Sequence, residues 1–422
     1  MPGGNMHRKF TLSNGLRVVC EKIPYVRSVS TGIWVKTGSR DENQENNGIS
    51  HFVEHMLFKG TKTRNAAQIA ECIDNIGGQI NAFTGKECTC FYARTLDDHI
   101  GTALDVLSDM FFNSIFDPKD IALEKQVILE EISMYEDSPE ELVHDLLSET
   151  VWRGSSIGKP ILGTRESLKN IDRRMIKEYM GERYIQPNTV ISVAGNFDEK
   201  QLEALLEKYF GAWEPKSGKT QESQHVEFRP ETSIREKDTE QVHICMGFEG
   251  IKSGDDDIYP LLAVNSILGG GMSSRLYQKI REEKGLVYSI YSYPTTYTDT
   301  GLFTIYAGMK PENLGEVMKL IEEEIAVIGE KGITRAELER AREQMKGNYI
   351  LGLESTSSRM NSIGKSELLL GYIYTPDEIL KKIDSITMDD IVRMISHIFG
   401  KGSKGMSVVG NIKEHFQNWG QI

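Results

Sequence analysis

The chain has 422 residues, more than one hydrophobic core usually organises, so about two domains are expected. Its hydrophobic share of 39% and charged share of 26% are those of a globular protein, and no apolar run nears the roughly 20 residues of a membrane helix, which excludes a membrane-spanning role. A net charge of −13 argues against a nucleic-acid binder, which carries a basic footprint, and leaves basic peptides compatible as partners.

The start, Met1 to Phe10, has no apolar stretch and no Arg/Ser-rich arm, so it reads as neither secretory signal nor transit peptide. A cytoplasmic location, or a mature form already trimmed, is the expectation. Leu16 to Cys20 and Ser30 to Lys36 alternate apolar and polar residues like strands of a half-buried sheet. Next comes His51-Phe52-Val53-Glu54-His55, a helical pattern. The five cysteines, Cys20, Cys72, Cys88, Cys90 and Cys245, are odd in number and scattered, as in a reducing compartment, and Cys88 and Cys90 on one strand face read as packing residues. Ile121 to Ile132 is an acidic helix, and another begins after Pro139. The polar stretch 214–235 is the natural linker between a domain of residues 1–213 and one of 236–422, where strand signals restart at Val242 to Phe248.

The halves resemble each other. Ile176 to Asn196 aligns without a gap onto Ile391 to Asn411, both reading as helix, loop and a buried strand that closes on Gly-Asn. Phe116 to Glu131 fits Ile333 to Asn348 in nearly the same register, as a duplicated domain with a small indel would. The predicted class is α+β: two homologous α/β sandwich domains, each a mostly antiparallel sheet with helices over one face.

At 100° per residue, His51, Glu54 and His55 share an arc of about 100° on their helix, opposite Phe52, Val53, Met56 and Leu57. Two histidines at i and i+4 can bind one zinc ion, with Glu54 beside it. A third protein ligand is needed, and Glu124, Glu130 and Glu131 on the acidic helix are candidates that spacing does not separate. The second half has Ala341 and Asn348 at the positions matching Glu124 and Glu131, and no His-x-x-Glu-His, so only the first half can hold a metal.

Gly48-Ile-Ser-His51-Phe-Val-Glu54-His55-Met-Leu-Phe-Lys-Gly-Thr61 resembles the signature of the inverzincins, the pitrilysin and mitochondrial-processing-peptidase family. The resemblance covers nearly the whole chain and implies a zinc metalloendopeptidase with one Zn²⁺ per chain. It selects Glu131 as third ligand, assigns Glu124 to the support of a ligand histidine, and makes Glu54 the general base. It also implies that Asn81, Ala82 and Phe83, in Gly77 to Thr84, lie on an edge strand that grips extended or unfolded peptide. Arg281 and Tyr288 match a pair that orients substrate and stabilises the oxyanion. The glycines Gly269 to Gly271 before them lack the Gly-Lys-Ser/Thr ending of a phosphate loop. Glu141 and Asp145, four apart on a helix, match an acidic pair that holds an arginine near the cleaved bond. Family members of about twice this length enclose substrate between two such halves, which implies a homodimer shaped as a closed chamber here. The rival reading is a non-catalytic core or substrate-binding subunit of a processing-peptidase-like complex, although such members characteristically lose motif residues that are all present in this sequence.

Overall fold

A computed structural model of the chain describes residues 7–216 and 226–412. Part of the expected linker, residues 217–225, falls outside them. Helices run in chain order as α1 (Ile49–Leu57), α2 (Ala66–Asp74), α3 (Ile100–Asn113), α4 (Pro118–Asp137), α5 (Pro139–Val151), α6 (Ser167–Asn170) and α7 (Arg173–Arg183). They continue as α8 (Glu199–Phe210), α9 (Ile258–Leu268), α10 (Leu314–Lys331), α11 (Arg335–Gly352), α12 (Thr356–Leu369), α13 (Pro376–Asp384) and α14 (Met388–Phe399). Among the described residues no helix is long and apolar enough to cross a membrane.

Two compact units form. Of the described residues, the first takes 7–132, 159–216 and 351–375, and the second 133–158, 226–350 and 376–412. The first is built on β1 (Arg8–Thr11), β2 (Arg17–Lys22), β3 (Ser28–Val35), β4 (Gln79–Thr84), β5 (Thr89–Leu96) and β6 (Thr189–Gly195). Its strand order is β1-β2-β6-β3-β5-β4, antiparallel except for β2 against β6. The second uses β7 (Thr232–Glu236), β8 (Val242–Glu249), β9 (Val287–Thr296), β10 (Gly301–Met309) and β11 (Gly405–Gly410) in the order β7-β11-β8-β10-β9. Its one parallel pair, β7 with β11, occupies the equivalent place. The predicted class and duplication therefore hold, down to the parallel neighbours.

Helices cover both faces of each sheet, not one face as expected. In the first unit Ile33, Phe91 and Val193 meet Phe52 and Val53 of α1, Leu104 of α3 and Ile176 of α7 on one side. On the other, Val19, Trp34, Cys90 and Val190 meet Met360, Ile363 and Leu368 of α12 or its flank. The sequence carries the reason: β3 is buried along all but its first residue, and a strand without a polar face must be covered twice. In the second unit α5 plays the same part, with Val143, Leu146 and Leu147 against Cys245, Tyr306 and Val409. The covering helix of each sheet thus comes from the other half of the sequence, so the units defined by packing differ from a cut at the linker. Cys88 and Cys90 are buried packing residues on the α12 side, and all five cysteines are free thiols.

Glycine lets α12 sit close. A Cβ on Gly364 would fall on Trp34 Nε1 and lie 2.7 Å from Ser192 Oγ, the two atoms joined by a 2.8 Å hydrogen bond beneath the helix. Gly364→Val should overpack this contact, at a cost of about 1–3 kcal/mol, and lower the melting temperature by about 2–10 °C. Gly347→Val on α11, where a Cβ meets nothing within 4 Å, controls for β-branching. Thermal unfolding by circular dichroism measures both; equal melting temperatures for the two variants would refute this seating of α12.

Candidate metal centre

α1 begins at Gly48, whose φ of 93° is a left-handed value open to glycine. Its backbone runs against Leu162 and Gly163, where a Cβ would sit 2.6 Å from Leu162 O. The first amides of the helix lack intrahelical acceptors, and the buried carboxylate of Glu42 serves them: it accepts from Gly48 N at 2.7 Å and Ser50 N at 2.8 Å. Ile49, Phe52, Val53, Met56 and Leu57 enter the core, which turns His51, Glu54 and His55 to the other side.

α4 brings the carboxylates. Glu124, 3% exposed, accepts from His55 Nδ1 at 2.8 Å, and its second oxygen lies 2.6 Å from Lys59 Nζ. With Nδ1 engaged as donor, His55 presents the lone pair of Nε2. That atom lies 3.2 Å from His51 Nε2, and Glu131 Oε2 lies 3.7 Å from each of the two. Glu130 points outward and is exposed, which separates candidates that spacing left equal. Burial, and then the neighbouring His55, push His51 down to about 3, so its ring is neutral at physiological pH. Two imidazole nitrogens that turned lone pairs on each other at this distance would repel, and a cation between them would turn that repulsion into shared ligation. A tetrahedral ion with bonds of about 2.0–2.1 Å sets its ligand atoms about 3.3–3.4 Å apart, close to the spacing found. The donor set and its spacing fit zinc, and among the described residues this is the one cluster of His, Cys, Asp or Glu that could hold a metal.

Glu54 stands beside the cluster and outside it. Its Oε2 accepts from Thr84 Oγ1 at 2.5 Å, which ties α1 to the end of β4. Burial raises the Glu54 carboxyl above its ordinary value, against the pull of Thr84 and His55. Glu131 is raised as well, by burial first. β4 is the outermost strand, as expected of an edge, and carries Asn81, Ala82 and Phe83. Ala82 N donates to Asn81 Oδ1 at 2.8 Å, and the half-exposed Phe83 ring meets Trp34 edge-on at 5.5 Å.

The remaining predicted residues belong to the second unit. Arg281, on a π-helical turn (Tyr277–Glu282), donates to Tyr277 OH at 2.7 Å and lies over that ring. Tyr288, at the start of β9, is 74% exposed, which leaves its hydroxyl open to a ligand. Glu141 and Asp145 lie one turn apart on the exposed side of α5. Sequence reasoning missed two contributors, Thr84 and Lys59. Lys59 follows His55 by one helical turn and could have been read as a partner for a carboxylate serving that histidine; Thr84 needed the strand pairing, which no local signal carries.

Two family models match the chain: Insulinase (Peptidase family M16) over residues 17–165, and the Peptidase M16 inactive domain over residues 170–345. The chain is 48% identical to the zinc protease YmxG of Bacillus subtilis, over 93% of this chain and 96% of the relative. It is 39% identical to the zinc protease SCO5738 of Streptomyces coelicolor, over 96% and 90%. In fold it resembles a protease from Helicobacter pylori, with a TM-score of 0.89 at 22% identity, over 96% of this chain and 99% of that one. A Pseudomonas fluorescens structure described as a peptidase M16 inactive domain gives 0.90 at 19% identity, over 96% and 98%. With a metal-ready cluster in the first unit and relatives this similar along almost its whole length, the chain belongs to the insulinase family of peptidases, family M16.

Proposed function

We propose that this chain is a zinc endopeptidase that cleaves extended or unfolded peptides. The observation that carries the reading is the convergence of His51 Nε2, His55 Nε2 and Glu131 Oε2, with the carboxylate of Glu54 held next to them and not among them. One Zn²⁺ per chain would be held by these three side chains, and Glu124 would orient His55. When bound, the ion supplies Lewis acidity at the scissile carbonyl and makes water a nucleophile at neutral pH. Glu54 takes the proton of the attacking water and returns it to the leaving amine. Its raised proton affinity suits that task, because an acceptor works best when its pKa approaches the working pH. Asn81, Ala82 and Phe83 on the outer strand pair with the peptide backbone, and the half-exposed Phe83 ring lines a side-chain pocket. A non-catalytic subunit is the weaker reading, since no member of the motif is missing. Five free cysteines support a reducing, cytoplasmic setting.

Hydrolysis of a quenched fluorescent peptide should vanish with chelator and return with zinc. Glu54→Gln should keep its zinc, measured by metal analysis, and lose activity by more than about a hundredfold. Retention of more than a few percent of turnover would remove Glu54 from its role.

Glu141 and Asp145 give the proposal a side-chain preference, because two exposed carboxylates one turn apart can hold a guanidinium. Peptides with Arg just upstream of the cleaved bond should show higher kcat/KM than the Ala equivalents; equal values would refute the preference.

The exposed Tyr288 belongs to one unit and the metal-ready cluster to the other, which supports a homodimer enclosing substrate, with Tyr288 donating to the oxyanion in a partner's site. Mixing Glu54→Gln chains with Tyr288→Phe chains should then restore activity, because each supplies what the other lacks. If subunits exchange and the mixture stays as inactive as the single variants, the groups are not shared between copies.

A further inference from the structure

The second unit repeats the architecture of the metal centre with different chemistry. The buried apolar positions of α1, Ile49, Phe52, Val53, Met56 and Leu57, are matched in α9 by buried Pro260, Ala263, Val264, Ile267 and Leu268 with identical spacing. That register puts Leu262, Asn265 and Ser266 where α1 has His51, Glu54 and His55. On α11, Asn348 stands at the position of Glu131 and Ala341 at that of Glu124. A hydrogen bond supports the same register: Ser292 Oγ of β9 donates to Asn265 Oδ1 at 2.7 Å, as Thr84 of β4 donates to Glu54.

The cavity outlasts the loss of the ligands. Leu262, Asn265, Gln344, Met345, Asn348 and Ile383 lie around a space of about 250 Å³ in which no charged side chain takes part. Gln344 Oε1 accepts from Ser266 Oγ at 2.7 Å, and Asn265 Oδ1 is taken by Ser292. Among the described residues, the amide N–H groups of Asn265 and Gln344 and the whole carboxamide of Asn348 are without hydrogen-bond partners. The lining therefore offers donors beside aliphatic walls and has nothing with which to neutralise a charge.

The neighbouring strand limits what can enter. In β9, Ser292 N is already bonded to Gly269 O at 3.0 Å, and Pro294 has no N–H to offer. An extended peptide adding to this edge finds an interrupted row of donors, so the cavity suits a compact ligand. Its volume also falls below the roughly 300–1,000 Å³ of drug-sized pockets.

We propose that this cavity is a second binding site, for a small uncharged ligand that pairs an aliphatic group with carbonyl acceptors, the chemistry of a capped aliphatic amino acid. The aliphatic group packs on Leu262, Met345 and Ile383, and the carbonyls accept from Asn265, Gln344 and Asn348. A charged group is rejected because its desolvation has no counter-charge to offset it. The site is independent of the zinc-peptidase reading, since it uses neither the metal nor the residues that would hold it.

N-acetylleucinamide, titrated into the full chain carrying ¹³C-methyl methionine, tests the proposal through the Met345 methyl resonance, assigned with Met345→Leu. A saturable shift is expected, absent in Leu262→Trp, which fills the cavity, and about tenfold weaker in affinity in Asn348→Leu, which removes one hydrogen bond. Anionic N-acetylglutamate amide should give no saturable shift. Asn348 is exposed, so its variant decides the matter if Leu262→Trp fails to fold. The proposal is overturned if no saturable shift develops up to the solubility limit of the probe, if Asn348→Leu binds as well as the unaltered chain, or if the anion binds equally.

Discussion

The hydrogen bond from His55 Nδ1 to Glu124 fixes the chemistry of the first unit. An imidazole has two nitrogens, and a carboxylate behind one of them decides which lone pair is left to face a ligand. Glu124 sits at 3% exposure, so the bond forms in a poorly solvated place where an unpaired N–H or carboxylate would cost about 1–3 kcal/mol or more. Lys59, one turn after His55, gives Glu124 a counter-charge at 2.6 Å. Histidine, glutamate and lysine thus brace one another, and the direction of His55 Nε2 is set before any ligand arrives. His51 is held differently: its Nδ1 is buried without a hydrogen-bond partner among the described residues, so no carboxylate behind that nitrogen orients the ring as Glu124 orients His55.

Such precision needs a rigid floor, and the sheet supplies it by being buried on both faces. α1 rests on one side through Ile49, Phe52 and Val53, while α12 closes the other through Met360 and Ile363 against Trp34. Trp34 also meets Phe83 of the outer strand edge-on. The helix from the far half of the sequence therefore packs on the same tryptophan that supports the edge expected to receive peptide. A mutation in α12 can reach that edge through one side chain.

Much of this was legible because it is local. The α1 signature gives its own geometry, since three polar positions within about 100° of a helix cannot all be buried with the apolar ones. The strand at Val242 begins where alternation and a linker say it should, and the internal repeat predicts two similar sheets. What stayed hidden depends on distance along the chain. Nothing in Ser355 to Leu369 says that this helix covers a sheet made by the first two hundred residues, because an amphipathic helix advertises an apolar face and not its partner. For the same reason spacing on α4 left Glu124, Glu130 and Glu131 equal. Their difference lies in what each meets: His55, solvent, or both histidines at 3.7 Å.

The two units separate scaffold from chemistry within one molecule. Both keep a strand hydroxyl bonded to a side-chain oxygen on the following face of a helix, Thr84 to Glu54 in one and Ser292 to Asn265 in the other. Both keep the parallel strand pair and a covering helix borrowed from the other half. What changed is charge. Replacing His51, Glu54, His55 and Glu131 by Leu262, Asn265, Ser266 and Asn348 removes every imidazole and carboxylate, the donors that suit zinc and the groups that can accept a proton near neutral pH, while Asn265 keeps the oxygen that Ser292 needs. Asparagine is the substitution that preserves the strand-to-helix tie and discards the ionisation. The hydrogen bond therefore persists with or without an ionisable partner, which makes fixing α1 and α9 against their edge strands its structural task in both units, while only the first unit retains a carboxylate there.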